Sequence, residues 1–430
     1  MAVALVLYQL IGCLAAVIGI PYLVLLRPRE ARERLGFQIH AAQPGCVWVH
    51  AASLGEFEAA WPLLRTWGEE GRASRLLVSC TNAVARSRIA QRLPEGARVC
   101  LAPLDLWPCV RRALRQQSPS CLVFVETELW PAWILAAARC GIPMAVVSAR
   151  LSDRTFPRYR RLRPLLRPLL RRLQVIGCRT ERDRAHWIAI GAPEDRCVVW
   201  GNTKYEVAEP ARRLPPRRTH ERFVLVAGSV RRGEEKILDL LQSIPMDEIR
   251  LLVVPRHLRD VPFWENTCLR QQIACRRLSL AGLDPTGSAV PLLQVLRQRN
   301  AALPAVILVD RVGVLRDCYR LADAAFVGGT WVPIGGHNLF EPAREGVPVL
   351  FGPSIGGVRD AAEALKASGG GVEVRDSREL VAVVTRLREA ADRQAEMGAA
   401  ARRAAEALAG GVARTVSGLR ALGIPPGDAA

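Results

Sequence analysis

Lysine is almost missing from this chain. Only Lys204, Lys236 and Lys366 among its 60 basic residues are lysine; the rest are arginine. Histidine is sparse too, at six in 430 residues, and no His/Asp cluster has metal-ligand spacing. Twelve cysteines are present, but none form a C-x-x-C pair, which excludes a zinc ribbon or a disulfide framework. Cys46, Cys80 and Cys121 lie in or beside apolar runs and read as small core residues. A reducing cytoplasm suits them. Aromatics make up 6% and are not interleaved with cations, unlike a base-stacking platform for nucleic acid. No G-x-G-x-x-G follows an apolar run. GSVRRGEEK (228–236) has glycines five apart but lacks the Gly-Lys-Ser/Thr of a P-loop.

Charge is missing altogether from residues 2–26, a length that spans a hydrocarbon core of ~30 Å. Arg27, Arg29, Arg32 and Arg34 follow at once. The positive-inside rule then puts the amino terminus outside and the remainder in the cytoplasm. A cleaved signal peptide is the rival, but the basic n-region is missing and the stretch ends in Leu-Leu-Arg rather than in small residues. The expectation is a single-pass transmembrane anchor over 1–26, kinked at Pro21.

Half of the residues are apolar, enough for two domains with sizeable cores. Net charge is +19, which suits an anionic partner: nucleic acid, acidic headgroups or a phosphorylated substrate. Short apolar runs alternate with helix-sized segments. The first set includes 47–53, 75–81, 97–103, 121–126, 144–149 and 197–201; the second includes 223–229, 250–255, 305–310, 324–329 and 347–352. Such alternation implies parallel sheets with crossover helices. The Pro- and Arg-rich stretch 206–222 reads as a linker. The expected fold is α/β, with two doubly wound Rossmann-like domains, 27–205 and 223–430, facing each other across a cleft. Ligands then bind at the carboxyl ends of the strands.

Several motifs sit at such ends. FVGGTWVPIGGHNLFEP (326–342) reads as strand, glycine-rich turn and helix start. Glycines admit a ligand close to the backbone, and helix N–H groups favour an anion. Asn338 and Glu341 also fit a plain capping box. Ser53 and Glu56 form another ahead of an apolar helical face, while Glu56 at a strand's end has the place of a general base. Glu126 and Glu128 follow the run CLVFV as a possible acid/base pair. Lys204 in GNTKYE and Arg256 in PRH are cations for a leaving phosphate, or ordinary solvated loop residues. The basic stretch 154–173 suits an anionic membrane surface, though Pro157, Pro164 and Pro168 argue against one continuous helix.

VWVHAASLGEFEAA, ETELWP, SARLSDR, GNTKYE, GSVRRGEE, PRH and the glycine-rich segment occur in this order and at suitable spacing. Together they resemble the 3-deoxy-D-manno-octulosonic acid (Kdo) transferases of lipopolysaccharide synthesis, from the anchor to about residue 360. The resemblance implies a GT-B glycosyltransferase moving Kdo from CMP-Kdo to a lipid A precursor, lipid IVA, at the cell inner membrane. It implies Glu56 as general base, with Glu126 and Lys204 stabilising the transition state. Pro255, Arg256, Val312, Gly313, Val314, Asn338, Leu339, Phe340 and Glu341 would bind CMP. No metal or cofactor beyond the donor is implied, and no nucleic-acid partner. Two departures stand out: Gly313-Val314-Leu315 replaces the family's Gly-Glu-Leu, and Val230-Arg231 replaces its Thr-His. A backbone contact survives the first change; a glutamate contact does not. The alternatives are a GT-B transferase using another nucleotide sugar, a membrane-tethered basic nucleic-acid-binding protein, and a transferase-like chain that has lost activity.

Overall fold

The computed structural model describes residues 45–205, 221–280, 296 and 303–424, together with parts of 8–37. The chain divides into two compact units, Met1–Glu206 with Ala409–Ala430, and Val207–Leu408.

The first unit is built on seven parallel strands: β1 (Val47–His50), β2 (Leu76–Cys80), β3 (Arg98–Leu101), β4 (Cys121–Val125), β5 (Met144–Ala149), β6 (Val175–Cys178) and β7 (Cys197–Val199). Their order is β3-β2-β1-β4-β5-β6-β7. Parallel strands covered by helices on both faces are apolar at most positions, and β1, β2, β4, β5 and β6 are buried throughout. Alternate side chains feed opposite cores. Trp48, Phe124, Val146 and Ile176 enter one; Val49, Val123, Val125 and Val147 enter the other.

The order reverses direction between β1 and β4. Such a switch point opens a crevice at the strands' carboxyl ends, because the loops leave toward opposite faces. Glu56 follows β1 and Glu126 follows β4, so the sheet itself brings them together.

The second unit repeats the plan with β8 (Phe223–Val230), β9 (Ile249–Pro255), β10 (Cys275–Arg277), β11 (Val306–Leu308), β12 (Ala324–Val327), β13 (Val349–Phe351) and β14 (Gly371–Glu373). Their order is β10-β11-β9-β8-β12-β13-β14, again all parallel. Its switch point lies between β8 and β12, the strands that lead into GSVRRGEE and into the glycine-rich segment.

Every strand expected from an apolar run is present. β6, β10 and β14 are additions: each has three or four residues, and β10 is Cys-Arg-Arg. The expected second domain, 223–430, differs at its end. The helix Gly411–Ala421 belongs with the first unit, where Gly418 packs on the Trp200 indole and Arg414 Nε donates to Trp200 O at 2.8 Å. The expected linker lies outside the described residues except at its end.

The expected anchor, residues 1–26, lies largely outside the described residues as well. Of its described part, Tyr8 donates to Asp105 Oδ2 at 2.7 Å and Gln9 accepts from Trp107 N at 2.9 Å. Among the described residues no helix is long and apolar enough to cross a membrane, so the single-pass helix finds no support there. The flanking arginines are partly engaged: Arg27 pairs with Glu30, and Arg34 donates to Thr81 O.

Candidate active site

Glu56 lies in the first turn of the helix Leu54–Trp67, which Ser53 caps. Ser53 Oγ accepts from Glu56 N at 3.3 Å and donates to Glu56 Oε1 at 2.9 Å, while Ala52 N donates to Oε2 at 2.6 Å. The capping box is therefore real, and it aims the carboxylate. Burial pushes Glu56 up to about 7; the negative charge of Glu128 adds to this, against the hydrogen bonds from Ser53 and Ala52. A carboxylate poised near neutrality is a competent proton acceptor.

Glu126 sits at the end of β4 in a left-handed conformation, φ 60°, which costs a non-glycine residue energy. Its Oε1 receives Lys204 Nζ at 3.0 Å and an Nη2 donor from Arg179. Burial opposes ionisation of Glu126, yet Arg179 and Lys204 outweigh it and hold the carboxyl below its usual range. Burial also lowers Lys204, partly offset by Glu126. Lys204 is held by a braced loop: Thr203 is buried, donates to Ala59 O at 2.6 Å and meets Ser148 Oγ at 2.6 Å. Glu128 accepts from Trp130 Nε1 and stands 3.8 Å from His50 Nε2. Burial opposes its ionisation, but the His50 and Trp130 contacts hold it below its usual range.

In the second unit, Glu234 organises the loops. It is fully buried, and its two oxygens accept four backbone N–H groups: Arg231 at 2.8 Å, Gly329 at 2.9 Å, Trp331 at 3.0 Å and Thr330 at 3.1 Å. One carboxylate thus ties the loop after β8 to the glycine-rich loop after β12. Gly328 is required there, since a Cβ would lie 2.5 Å from Val230 Cα. Beside this junction is a cavity of about 410 Å³, lined by Arg231, Arg232, His257, Arg259, Asp260, Val332 and Ile334. Arg231 donates from Nε to His337 Nε2 at 3.2 Å and has Nη1 3.2 Å from His257 Nε2. Burial and the neighbouring arginines push His337 down to about 4, so it is neutral at pH 7. The cavity presents arginine guanidinium groups suited to a phosphate. Among the described residues no group of histidine, cysteine, aspartate and glutamate is placed to hold a metal ion.

A family model described as 3-deoxy-D-manno-octulosonic-acid transferase (kdotransferase) matches residues 29–207. A 3-deoxy-D-manno-octulosonic acid transferase of Bordetella pertussis is 31% identical over 409 residues, 90% of this chain and 89% of that one. The chain belongs to the Kdo transferase family. A bifunctional glycosyltransferase/methyltransferase of Fusobacterium nucleatum is 30% identical over 352 residues, 79% of this chain; the match spans about half, 52%, of that longer relative. The crystal structure of a glycosyltransferase from Rickettsia africae matches 90% of this chain and 100% of its own, with a TM-score of 0.59 at 11% identity. That likeness is one of fold, the GT-B α/β architecture expected from the sequence.

For this Kdo transferase the sequence-derived site residues fall into three groups. Glu56, Glu126 and Lys204 are in the first unit, with the last two in direct contact. Arg256 follows buried Pro255 at the end of β9, its side chain exposed. The remainder need correction in detail. The short helix starts at Phe340, not after Asn338, and runs for only five residues. Asn338 Oδ1 accepts from Phe340 N at 3.0 Å and its Nδ2 donates to Glu341 Oε1 at 3.2 Å, so the pair closes a turn before the helix. So short a helix has little dipole to offer an anion. Leu339 and Phe340 are buried, so their side chains are core rather than contact groups. Val314 packs in the core with Val224 and Leu252, while Val312 is exposed and Gly313 has φ 85°.

His50, Arg179 and Glu234 were not singled out from the sequence. Arg179 carries the same signal as Glu126, a charged residue directly after a strand. Glu234 lay within a quoted motif.

Proposed function

We propose that this chain transfers Kdo from CMP-Kdo to a lipid A precursor, lipid IVA, on the cytoplasmic side of the cell inner membrane. The observation that carries this is Glu56 at the β1/β4 switch point, aimed by Ser53 and Ala52 and held near neutral titration. Glu56 takes the proton from an acceptor hydroxyl. The oxygen attacks the anomeric carbon of Kdo, the bond from that carbon to the phosphate oxygen breaks, and CMP leaves with the electron pair. Lys204 and Glu126, tied together, stabilise the charge that develops in the transition state. Arg256 and the Arg231 cavity, with the 312–314 and 338–341 segments, receive CMP. Side-chain cations suffice for this charge, so no metal is needed: addition of EDTA leaves the rate unchanged, and a rate that returns only with Mg²⁺ contradicts that part.

Membrane attachment is assigned to the apolar residues 2–26 and to the arginine-rich helices 156–170, with the Tyr8–Asp105 contact keeping the first segment on the side of the first unit. Exposed Leu10, Leu14, Val17, Leu25 and Leu26 support the first. Ala2→Cys tests it by labelling of inner-membrane vesicles. Reaction only from the cytoplasmic side is expected; reaction only from the outer side would mean that the segment crosses and that the Tyr8–Asp105 contact does not form in the membrane. The function is tested by mass measurement of lipid IVA incubated with CMP-Kdo and the enzyme. Turnover of a UDP-sugar, and none of CMP-Kdo, would overturn the donor assignment.

A further inference from the structure

His50 has no part in the chemistry above, yet it closes β1 directly before the Glu56 turn. It is 1% exposed, and Phe124, Trp130 and Trp133 surround its ring at centroid distances of 6.3, 4.8 and 5.1 Å. Its Nδ1 lies 2.9 Å from Ser79 Oγ, which already accepts from Trp48 Nε1 at 2.9 Å. A hydroxyl that accepts from the indole still has its own proton to give, and Nδ1 is there to take it. The neutral ring then carries its proton on Nε2. That atom is buried without a hydrogen-bond partner, and Glu128 Oε2 stands 3.8 Å from it.

Glu56 is faced by Ser53 and the Ala52 N–H from its own turn, and by Glu128 and Glu126 from the segment after β4. Glu126 is offset by Arg179 and Lys204, which leaves Glu128 as the larger negative influence on Glu56. Glu128 itself is faced by His50, Trp130, Glu126 and Tyr159. We infer that His50 is a positioning residue: the chain Trp48–Ser79–His50 presents an Nε2–H that closes on Glu128 in the working enzyme, keeps it ionised and oriented beside Glu56, and so sets the strength of the base.

The inference rests on Glu56 as the base, and its first tests need no turnover. In wild-type enzyme with ¹⁵N-labelled histidine, the His50 resonance is that of the Nε2–H tautomer; the Nδ1–H tautomer overturns the proposal. The Glu56 carboxyl, followed by ¹³C NMR, titrates lower by at least about half a pH unit in Glu128→Gln and in His50→Phe. An unmoved Glu56 titration in both overturns it. In Kdo transfer, H50F lowers kcat about tenfold or more at unchanged KM for CMP-Kdo, and moves the acid limb of kcat/KM the same way. His50→Gln, which keeps an N–H, recovers most of the rate, and H50F adds nothing to E128Q. Additive losses with an unmoved limb mean a purely structural histidine. Should H50F fail to fold, Trp130→Phe removes the other donor to Glu128 Oε2 and is expected to move the limb in the same direction. Wild-type enzyme that does not turn over CMP-Kdo defeats the functional reading, while the tautomer and the Glu56 titration still decide this one.

Discussion

Glu56 is fixed by its own helix, and in the proposed mechanism two jobs fall on one carboxylate. As a cap it needs Ser53 and the Ala52 N–H; as a base it needs a pKa near the working pH. Burial raises it to about 7, so kcat/KM is expected to rise with pH through an apparent pKa near that value. Glu56→Gln keeps the shape and removes the base: transfer falls by about 10²–10⁴ in kcat while CMP still binds, measured by kinetics and calorimetry. The same shift sets a stability trend. The folded carboxyl holds its proton up to about 7, whereas the unfolded one releases it near 4.5, so stability falls as pH rises through that window. E56Q escapes the loss, and its melting temperature gains on wild type at pH 8 relative to pH 5. Equal differences at both pH values would mean that Glu56 is not shifted. On the facing loop, Lys204→Met takes the ammonium away from Glu126 and leaves it Arg179 and the more weakly acting Arg150, and kcat falls about 10²–10³-fold. A near-wild-type rate would remove Lys204 from the mechanism.

At the scale of elements, the sites follow from strand order. Runs such as CLVFV and FVLVAGS were legible as strands because burial on both faces demands apolar residues throughout. Cys275–Arg277 was not, since an edge strand of three residues carries too little pattern. Which strands lie side by side depends on pairings far apart in sequence, so Glu126 was placed with Glu56 through the family resemblance, which gave Glu128 no role. Asn338 and Glu341 fit a cap in the sequence, but the helix begins one residue later, at Phe340, so the pair closes the turn that leads into it. Glu234 escaped notice for a related reason: its partners Gly329, Thr330 and Trp331 lie in another loop. Glu234→Gln turns a donor toward N–H groups that need an acceptor. It is expected to lower stability by about 3 kcal/mol in urea unfolding and to weaken CMP binding. Unchanged stability would show that the loops hold without that carboxylate.

At the scale of the whole chain, the excess of positive charge suits an anionic membrane and an anionic donor. Arg158, Arg160, Arg161, Arg163 and Arg167 are exposed on two short helices, with Leu162 43% exposed between them. Reversing Arg158, Arg160 and Arg163 to glutamate is expected to loosen binding to anionic vesicles several-fold at low salt, with the difference shrinking as salt rises. Salt-independent binding equal to wild type would assign attachment elsewhere. The arginine bias itself carries little information, since it does not distinguish a lipid surface from nucleic acid. The most direct measurement is therefore the mass of lipid IVA after incubation with CMP-Kdo and either wild-type or E56Q enzyme. The account predicts a lipid heavier by one or more Kdo residues with wild type and unchanged lipid with E56Q. Unmodified lipid with folded wild-type enzyme, or full transfer by E56Q, would contradict it.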